Sequence, residues 1–212
     1  ANWGLYVARY CLGGEEAASY VSMTVIIPTL IGAVMAVELC KKYDKFKIFY
    51  FSYMFALILG IVRYIAGYEN MMVYVILNAL GGFPLGIAAI LQYQFTPDCY
   101  EYGQYKTGLK MRGVTFAAQT FFTKLNGAIA TAVSVFALTL IGFKEGEGVI
   151  QAAGFADKLW TFSCLGSIIG GIGTLLILRL YKLNDHDVQL MSKCNNGEIT
   201  REEAEAQMIN RY

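Results

Sequence analysis

One ionisable side chain, Lys124, stands inside a long apolar run from Gly113 to Phe143. It lies about 11 residues into the helix that the run predicts, or about 16 Å at 1.5 Å per residue. Its neighbours share its character. At about 100° per residue, Gln119, Thr120, Thr123, Lys124, Asn126, Gly127, Thr131 and Ser134 fall within an arc of about 160°. Phe121, Phe122, Leu125, Ile129, Val133 and Phe136 face the other way. A face of this kind makes and breaks hydrogen bonds and compensates charge; lipid cannot satisfy it, so it belongs against water or another polar surface. Helix packing through small and hydroxylated residues accounts for Gly127, Ala130 and Ser134. It accounts poorly for Gln119 and Lys124.

A second group lies in Pro97-Asp98-Cys99-Tyr100-Glu101-Tyr102-Gly103-Gln104-Tyr105-Lys106-Thr107-Gly108. Asp98 and Glu101, with Lys106 and Arg112, suit an ion-pair clasp on a tight turn between the fourth and fifth helices. Elsewhere chemistry is scarce. The single histidine, His186, cannot build a His-based metal site or supply a buried general base. The five cysteines (Cys11, Cys40, Cys99, Cys164 and Cys194) are scattered without a C-x-x-C pair and read as small apolar residues. No metal-ligand cluster and no Ser/His pairing argue for an enzyme.

The elements that position these residues are membrane helices. Of 212 residues, 56% are apolar and only 16% charged, with mean hydropathy +0.46. An ordinary globular chain carries about a quarter charged residues. Net charge is +1, so no basic domain for nucleic acid is present. Crossing a bilayer takes about 20 apolar residues. Such runs predict spans over about 1–12, 17–39, 46–66, 71–95, 113–143 and 159–181. The first is too short to cross and has no signal-peptide n-region, so the chain is expected to begin inside a helix and to be a piece of a longer protein. Arg63, near the end of its run, reads as a snorkelling side chain. The remainder, 184–212, is polar; Thr200-x-x-Glu203 is a capping-box pattern opening a short helix, read as solvated.

Charge asymmetry orients the spans. Twelve cations lie on one side: Lys41, Lys42, Lys45 and Lys47, then Lys106, Lys110 and Arg112, then Arg179, Lys182, Lys193, Arg201 and Arg211. Only Arg9, Arg63, Lys144 and Lys158 lie on the other. The positive-inside rule places the twelve, and the C-terminus, in the cytoplasm of a multi-pass inner-membrane protein. Gly81, Gly82, Pro84 and Gly86 interrupt the fourth helix, either for close packing and bending or as a gate. Pro28 and Gly32 read as kink and contact residues. Tyr6 and Tyr10 suit either cavity stacking or an interfacial belt.

The pattern Asp98-x-x-Glu101-Tyr102-Gly103-x-x-Lys106-Thr107-Gly108, followed by a helix with Gln119, Thr120 and Lys124, resembles the glycoside-pentoside-hexuronide:cation symporter family. This is the melibiose permease-like family of the major facilitator superfamily. Tyr6-x-x-Arg9-Tyr10-x-x-Gly13 and Arg179-Leu180-Tyr181-x-Leu183 extend the resemblance over most of the chain. It implies an all-α integral membrane fold, the six-helix C-terminal half of such a transporter with its first helix truncated, built of two three-helix repeats. It further implies secondary active transport of a sugar or glycoside coupled to Na⁺ or H⁺ by alternating access. The expected partners are the sugar, the bilayer and an N-terminal six-helix half holding the main cation ligands; no cofactor is expected. By the same resemblance Gln119, Thr120 and Lys124 face the central cavity and bind substrate, with Thr123 at an adjacent sugar-facing position; from the residues themselves, Tyr6 is added to the substrate-binding set, and Asp98, Glu101, Lys106 and Arg112 are expected to form a cytoplasmic clasp. The sequence departs from the pattern at Ala89, where the family's best-known member has a sugar-stacking Trp, and at Asn126, where a small residue is common. The alternative on the same fold is a facilitator for an organic anion or an amphipathic lipid.

Overall fold

The computed structural model describes residues 3–12, 15–144, 146 and 151–210. Among these residues eight helices follow in order: α1 (Trp3–Cys11), α2 (Glu15–Cys40), α3 (Lys45–Ala66), α4 (Met71–Thr107), α5 (Arg112–Leu140), α6 (Phe155–Leu178), α7 (Asp185–Asn195) and α8 (Arg201–Gln207). Among the described residues there is no strand. Five helices, α2 to α6, are long and apolar enough to cross a membrane. Their outer faces carry side chains that water would not tolerate in such number, among them Ile27, Ile65, Phe136 and Ile169, all more than 60% exposed. The expected start of the first span and Arg211 lie outside the described residues, as do Glu145 and Glu147.

Helix α4 is the axis of the bundle, packed along α2 on one side and α3 on the other; α6 lies on α3, and α1 bridges α2 and α6. Glycine makes the α2–α4 contact possible. A Cβ on Gly32 would collide with the Phe83 carbonyl, one on Gly86 with the Thr29 carbonyl, and one on Gly82 would stand 2.9 Å from the Val25 oxygen. With no hydrophobic effect between helices in lipid, such backbone approach is what holds them together. The glycine cluster is therefore a contact surface, and α4 runs through it and past Pro84 unbroken.

Two cores close the ends of the bundle. One gathers Val7, Val21, Tyr74, Leu138, Ile141, Phe155, Leu159, Trp160 and Cys164 from five helices. The other gathers Ala36, Ile48, Phe49, Ile87 and Leu91.

Two sequence expectations change. First, the segment 97–107 is helix, not turn: α4 spans 37 residues, about 56 Å, roughly twice the hydrocarbon thickness. Its last turns therefore project beyond the bilayer. Gly108, at φ 71°, ends it, donating its N–H to the Gln104 carbonyl, so Thr107-Gly108 is a helix terminus. Second, the tail is not merely solvated. It carries a second helix, α7, whose Val188, Leu190 and Met191 are buried, and α7 packs on α4. The capping box of Thr200 and Glu203 does open α8. Arg63, on the last turn of α3, lies against the Trp160 ring.

Candidate functional site

Helix α5 is held to the bundle only near its ends. Towards its start, Thr115, Phe116 and Gln119 are partly covered; towards its finish, Ser134, Ala137 and Leu138 are. Gln119, Ser134 and Ala137 lie on or beside the polar stripe. Phe121, Phe122, Ile129, Val133 and Phe136, on the opposite face, are 53–65% exposed. The helix thus turns its polar side toward the rest of the bundle and its aromatic side away. Between residues 120 and 133 every position is exposed, the polar ones included. A gap lies beside the middle of the stripe.

Along this gap the hydroxyls are satisfied without tertiary partners. Thr120 donates to the Phe116 carbonyl (3.0 Å), Thr123 to Gln119 (2.8 Å), Thr131 to Gly127 (3.0 Å) and Ser134 to Ala130 (2.7 Å). Each oxygen keeps lone pairs free to accept from a solute. Among the described residues no ion pair includes Lys124. Gln119, Thr120, Thr123 and Lys124 share one stretch of one helix, and Tyr6 stands apart from them. It packs edge-on against Phe143 at 5.4 Å, in an aromatic cluster with Tyr10 and Phe155 at the far end of α5.

The expected clasp does not close on itself. Asp98, only 4% exposed, accepts from the Lys45 ammonium at 2.7 Å and from the Tyr181 hydroxyl at 3.3 Å. Lys45 also pairs with Asp185 at 3.2 Å. Glu101 accepts from Asn195 Nδ2 at 2.8 Å, and the Tyr105 hydroxyl donates to Glu205 at 3.1 Å. Positions 98, 101 and 105 recur at the i, i+3, i+7 spacing of one helix face, and that face docks the tail. Lys106 and Arg112 are exposed and enter no ion pair among the described residues. Helix geometry is the reason: Lys106 lies about 12 Å along the axis from Asp98 and about 140° around it from Glu101.

Around this cluster the helix ends cap one another. Asp44 accepts from the Phe46 N–H at the start of α3 (2.9 Å) and from the Asp185 N–H at the start of α7 (2.9 Å). Asp185 accepts from the Lys45 N–H at 2.8 Å. Burial, with the Asp98 carboxylate beside it, pushes the Tyr181 phenol up. Further along the tail, Asp187 is fully buried and accepts from the N–H groups of Ile209 (2.8 Å) and Asn210 (3.0 Å). Burial alone would raise its carboxyl; those backbone donors, with His186 and Asn184, more than offset this and hold it down to about 2. At the opposite end Tyr68 donates to Asp157, and that bond pushes its phenol up to about 12.

Lys45, Tyr181 and Asp185 escaped sequence reasoning, since partners 53 and 83 positions apart leave no periodic trace. Arg63 left one: a cation inside an otherwise uncharged run.

Comparison with known proteins places the chain. Residues 3–185 match the family described as MFS/sugar transport protein. YagG of Escherichia coli K12, provisionally named a glycoside/cation symporter, is 22% identical over 189 residues, covering 89% of this chain and 41% of the relative. A protein of the same strain provisionally named a sulfoquinovose importer is 23% identical over 210 residues, covering 95% and 44%. The chain thus spans less than half the length of these relatives. No solved structure matches it significantly. With five membrane-length helices among the described residues, a polar face on one of them and this family match over most of its length, the chain belongs to the MFS/sugar transport protein family.

Proposed function

We propose that this chain is the C-terminal half of a carrier that moves a sugar or glycoside together with a cation, Na⁺ or H⁺, by alternating access. The observation that carries the reading is the polar stripe of α5, turned toward the bundle across a gap and lacking tertiary partners along its middle. In this reading the gap is half of a central water-filled pathway, completed by an N-terminal six-helix bundle. Gln119, Thr120 and Thr123 hydrogen-bond sugar hydroxyls, and Tyr6 borders the pathway at one end. Lys124 offers its charge to sugar oxygens or to carboxylates of the other half, where the main cation ligands reside. A lone ammonium at mid-membrane costs about 2.5–3.5 kcal/mol even on lenient scales, a cost that an opposing anion or a hydrated pathway offsets.

The end bearing Lys45, Asp98 and Asp185 is the cytoplasmic one in this reading, by its excess of cations. Asp98 and Glu101 fasten the tail and the α2–α3 turn into one rigid body there. Lys106 and Arg112, exposed at the same end, pair with carboxylates of the other half when the inner gate closes. Uptake of labelled glycosides by the full-length protein tests the assignment. Lys124→Ala and Lys124→Gln are expected to lose coupled uptake by at least about tenfold, since removing one charge-assisted contact costs about 1.5–3 kcal/mol. Near-normal coupled transport in both would remove Lys124 from the mechanism.

A second reading, an organic-anion carrier, is favoured by one observation: a relative in Salmonella typhimurium, 22% identical, is provisionally named a 2,3-dihydroxypropane-1-sulfonate exporter. Here Lys124 meets the anionic group of the cargo. Competition of uptake by neutral glycosides against organic anions separates the two readings.

A further inference from the structure

Helices α2 and α3 both rest on α4 and scarcely touch one another beyond the turn that joins them. A groove of about 550 Å³ opens between them, floored by Phe83 and Ile87 of α4 and walled by Met35 and Leu39 of α2 and Phe51 and Phe55 of α3. Phe51 is 59% exposed and Phe55 44%, so the groove is open along its length. Apart from the buried Ser52, its polar lining is confined to Tyr43 and Lys47, at the end nearest the turn. From Lys47 to Phe55 is eight residues, about 12 Å of helix. Half of a hydrocarbon core of about 30 Å is close to that. The groove therefore runs about one leaflet deep, from a polar mouth to an apolar end. No residue of α5 lines it.

Tyr43 and Lys47 also border the polar cleft at this end of the bundle, which Lys41, Lys42 and Lys45 share. Two of these cations are engaged: Lys41 pairs with Glu38 at 2.7 Å, and Lys45 with Asp98 and Asp185. Lys42 and Lys47 are exposed, and among the described residues no ion pair includes either. The other carboxylates of the cleft are engaged as well. Asp44 accepts from the N–H groups of Phe46 and Asp185, and Glu101 accepts from Asn195. What is left uncompensated at the mouth is positive charge. A polar solute would find nothing to bond along Leu39, Phe51 and Phe55, and a free anion would leave those apolar walls uncovered. An amphiphile with an acidic head satisfies both.

We infer that this groove holds an anionic phospholipid of the adjoining leaflet, with one acyl chain along Phe51 and Phe55 and the phosphate at Lys42 and Lys47. Basic pockets between membrane helices take acidic head groups in this way, and lysines near the surface favour anionic lipid over neutral. The lysine stems lie along the first methylenes while the ammonium groups stay in the wet layer. Tyr43 stands at head-group level, where interfacial tyrosines gather. Three helices surround the chain here, where boundary lipid meets a single surface. The site needs only the membrane helices. It is separate from Lys124 and stands whether or not the chain carries sugars.

Site-specific photocrosslinking tests it. Full-length protein with photoreactive benzoylphenylalanine in place of Phe51, or of Phe55, is reconstituted into vesicles of phosphatidylcholine with a minor share of phosphatidylglycerol, both bearing the same acyl chains. After irradiation, mass spectrometry identifies what is attached at that position. Phosphatidylglycerol should be captured roughly tenfold or more above its share of the vesicle, given the preference that two surface lysines confer. Lys42→Gln combined with Lys47→Gln should bring capture down to that share; both side chains are exposed, so their loss leaves no buried charge unpaired. Lys144→Gln combined with Lys158→Gln, the same loss of charge at the opposite end, should leave the excess intact. Capture in proportion to vesicle composition marks ordinary boundary lipid and overturns the inference. Capture of protein, or of no lipid, at both positions overturns it too. So does an excess that survives Lys42→Gln with Lys47→Gln, or one that the distant pair removes equally. Glycoside uptake plays no part in the readout, so failure here leaves the carrier reading untouched.

Discussion

Asp187 shows how a single tail residue sets a condition on pH. Its carboxyl is held near 2, against an ordinary value near 3.9, by donors that exist only when residues 209 and 210 are docked. The contribution, about 2 kcal/mol, is therefore complete above pH 4 and is lost as pH falls from about 4 toward 2. Asp187→Asn should remove most of it at neutral pH. Hydrogen exchange at the Ile209 and Asn210 amides in the full-length protein checks this: exchange should speed up roughly tenfold or more in the variant, and unchanged protection would refute the assignment. At this scale the sequence was readable wherever the information lay within one helix. The polar stripe needs only the wheel of α5, and the Thr200–Glu203 cap only three residues. The contact of Arg63 with Trp160, 97 positions away on another helix, leaves no such trace.

Between elements, two kinds of contact hold the bundle and each predicts a different failure. The α2–α4 contact is steric. Replacing Gly86 by Val puts a side chain into the Thr29 carbonyl and should destabilise the full-length protein by about 1–3 kcal/mol, read as a lowered unfolding temperature in detergent. Gly127, whose Cβ would meet open space, should accept Ala without such a loss. The Lys45–Asp98 pair is electrostatic, with side chains only 17% and 5% exposed. Lys45→Met leaves a buried carboxylate unpaired and should cost about 3–5 kcal/mol; adding Asp98→Asn should restore part of that. A fully additive double variant would show the two residues to be uncoupled. Helix existence was legible here from apolar run length alone. The end of α4 was not: Pro97 and a polar, glycine-containing stretch resemble a turn, and only docking of the 98, 101 and 105 face against α7 and α8 explains why the helix continues.

For the whole molecule, the membrane reading followed from uncharged apolar runs of about 20 residues in a chain with few charges. What the stripe on α5 faces did not, because that depends on how a bundle arranges its neighbours and on a second half with which it would share a pathway. The proposed carrier requires water to reach this stripe. Single cysteines introduced at 119, 120, 123, 124 and 127, and at 122, 125, 129 and 133, into full-length protein stripped of its native cysteines measure this directly in membrane vesicles with a charged, membrane-impermeant thiol reagent. The first set should react quickly and be slowed by bound sugar, and the second set should stay unlabelled. Rapid labelling of 122, 125 and 129 with silence at 120, 123 and 124 would contradict a hydrated pathway along this helix.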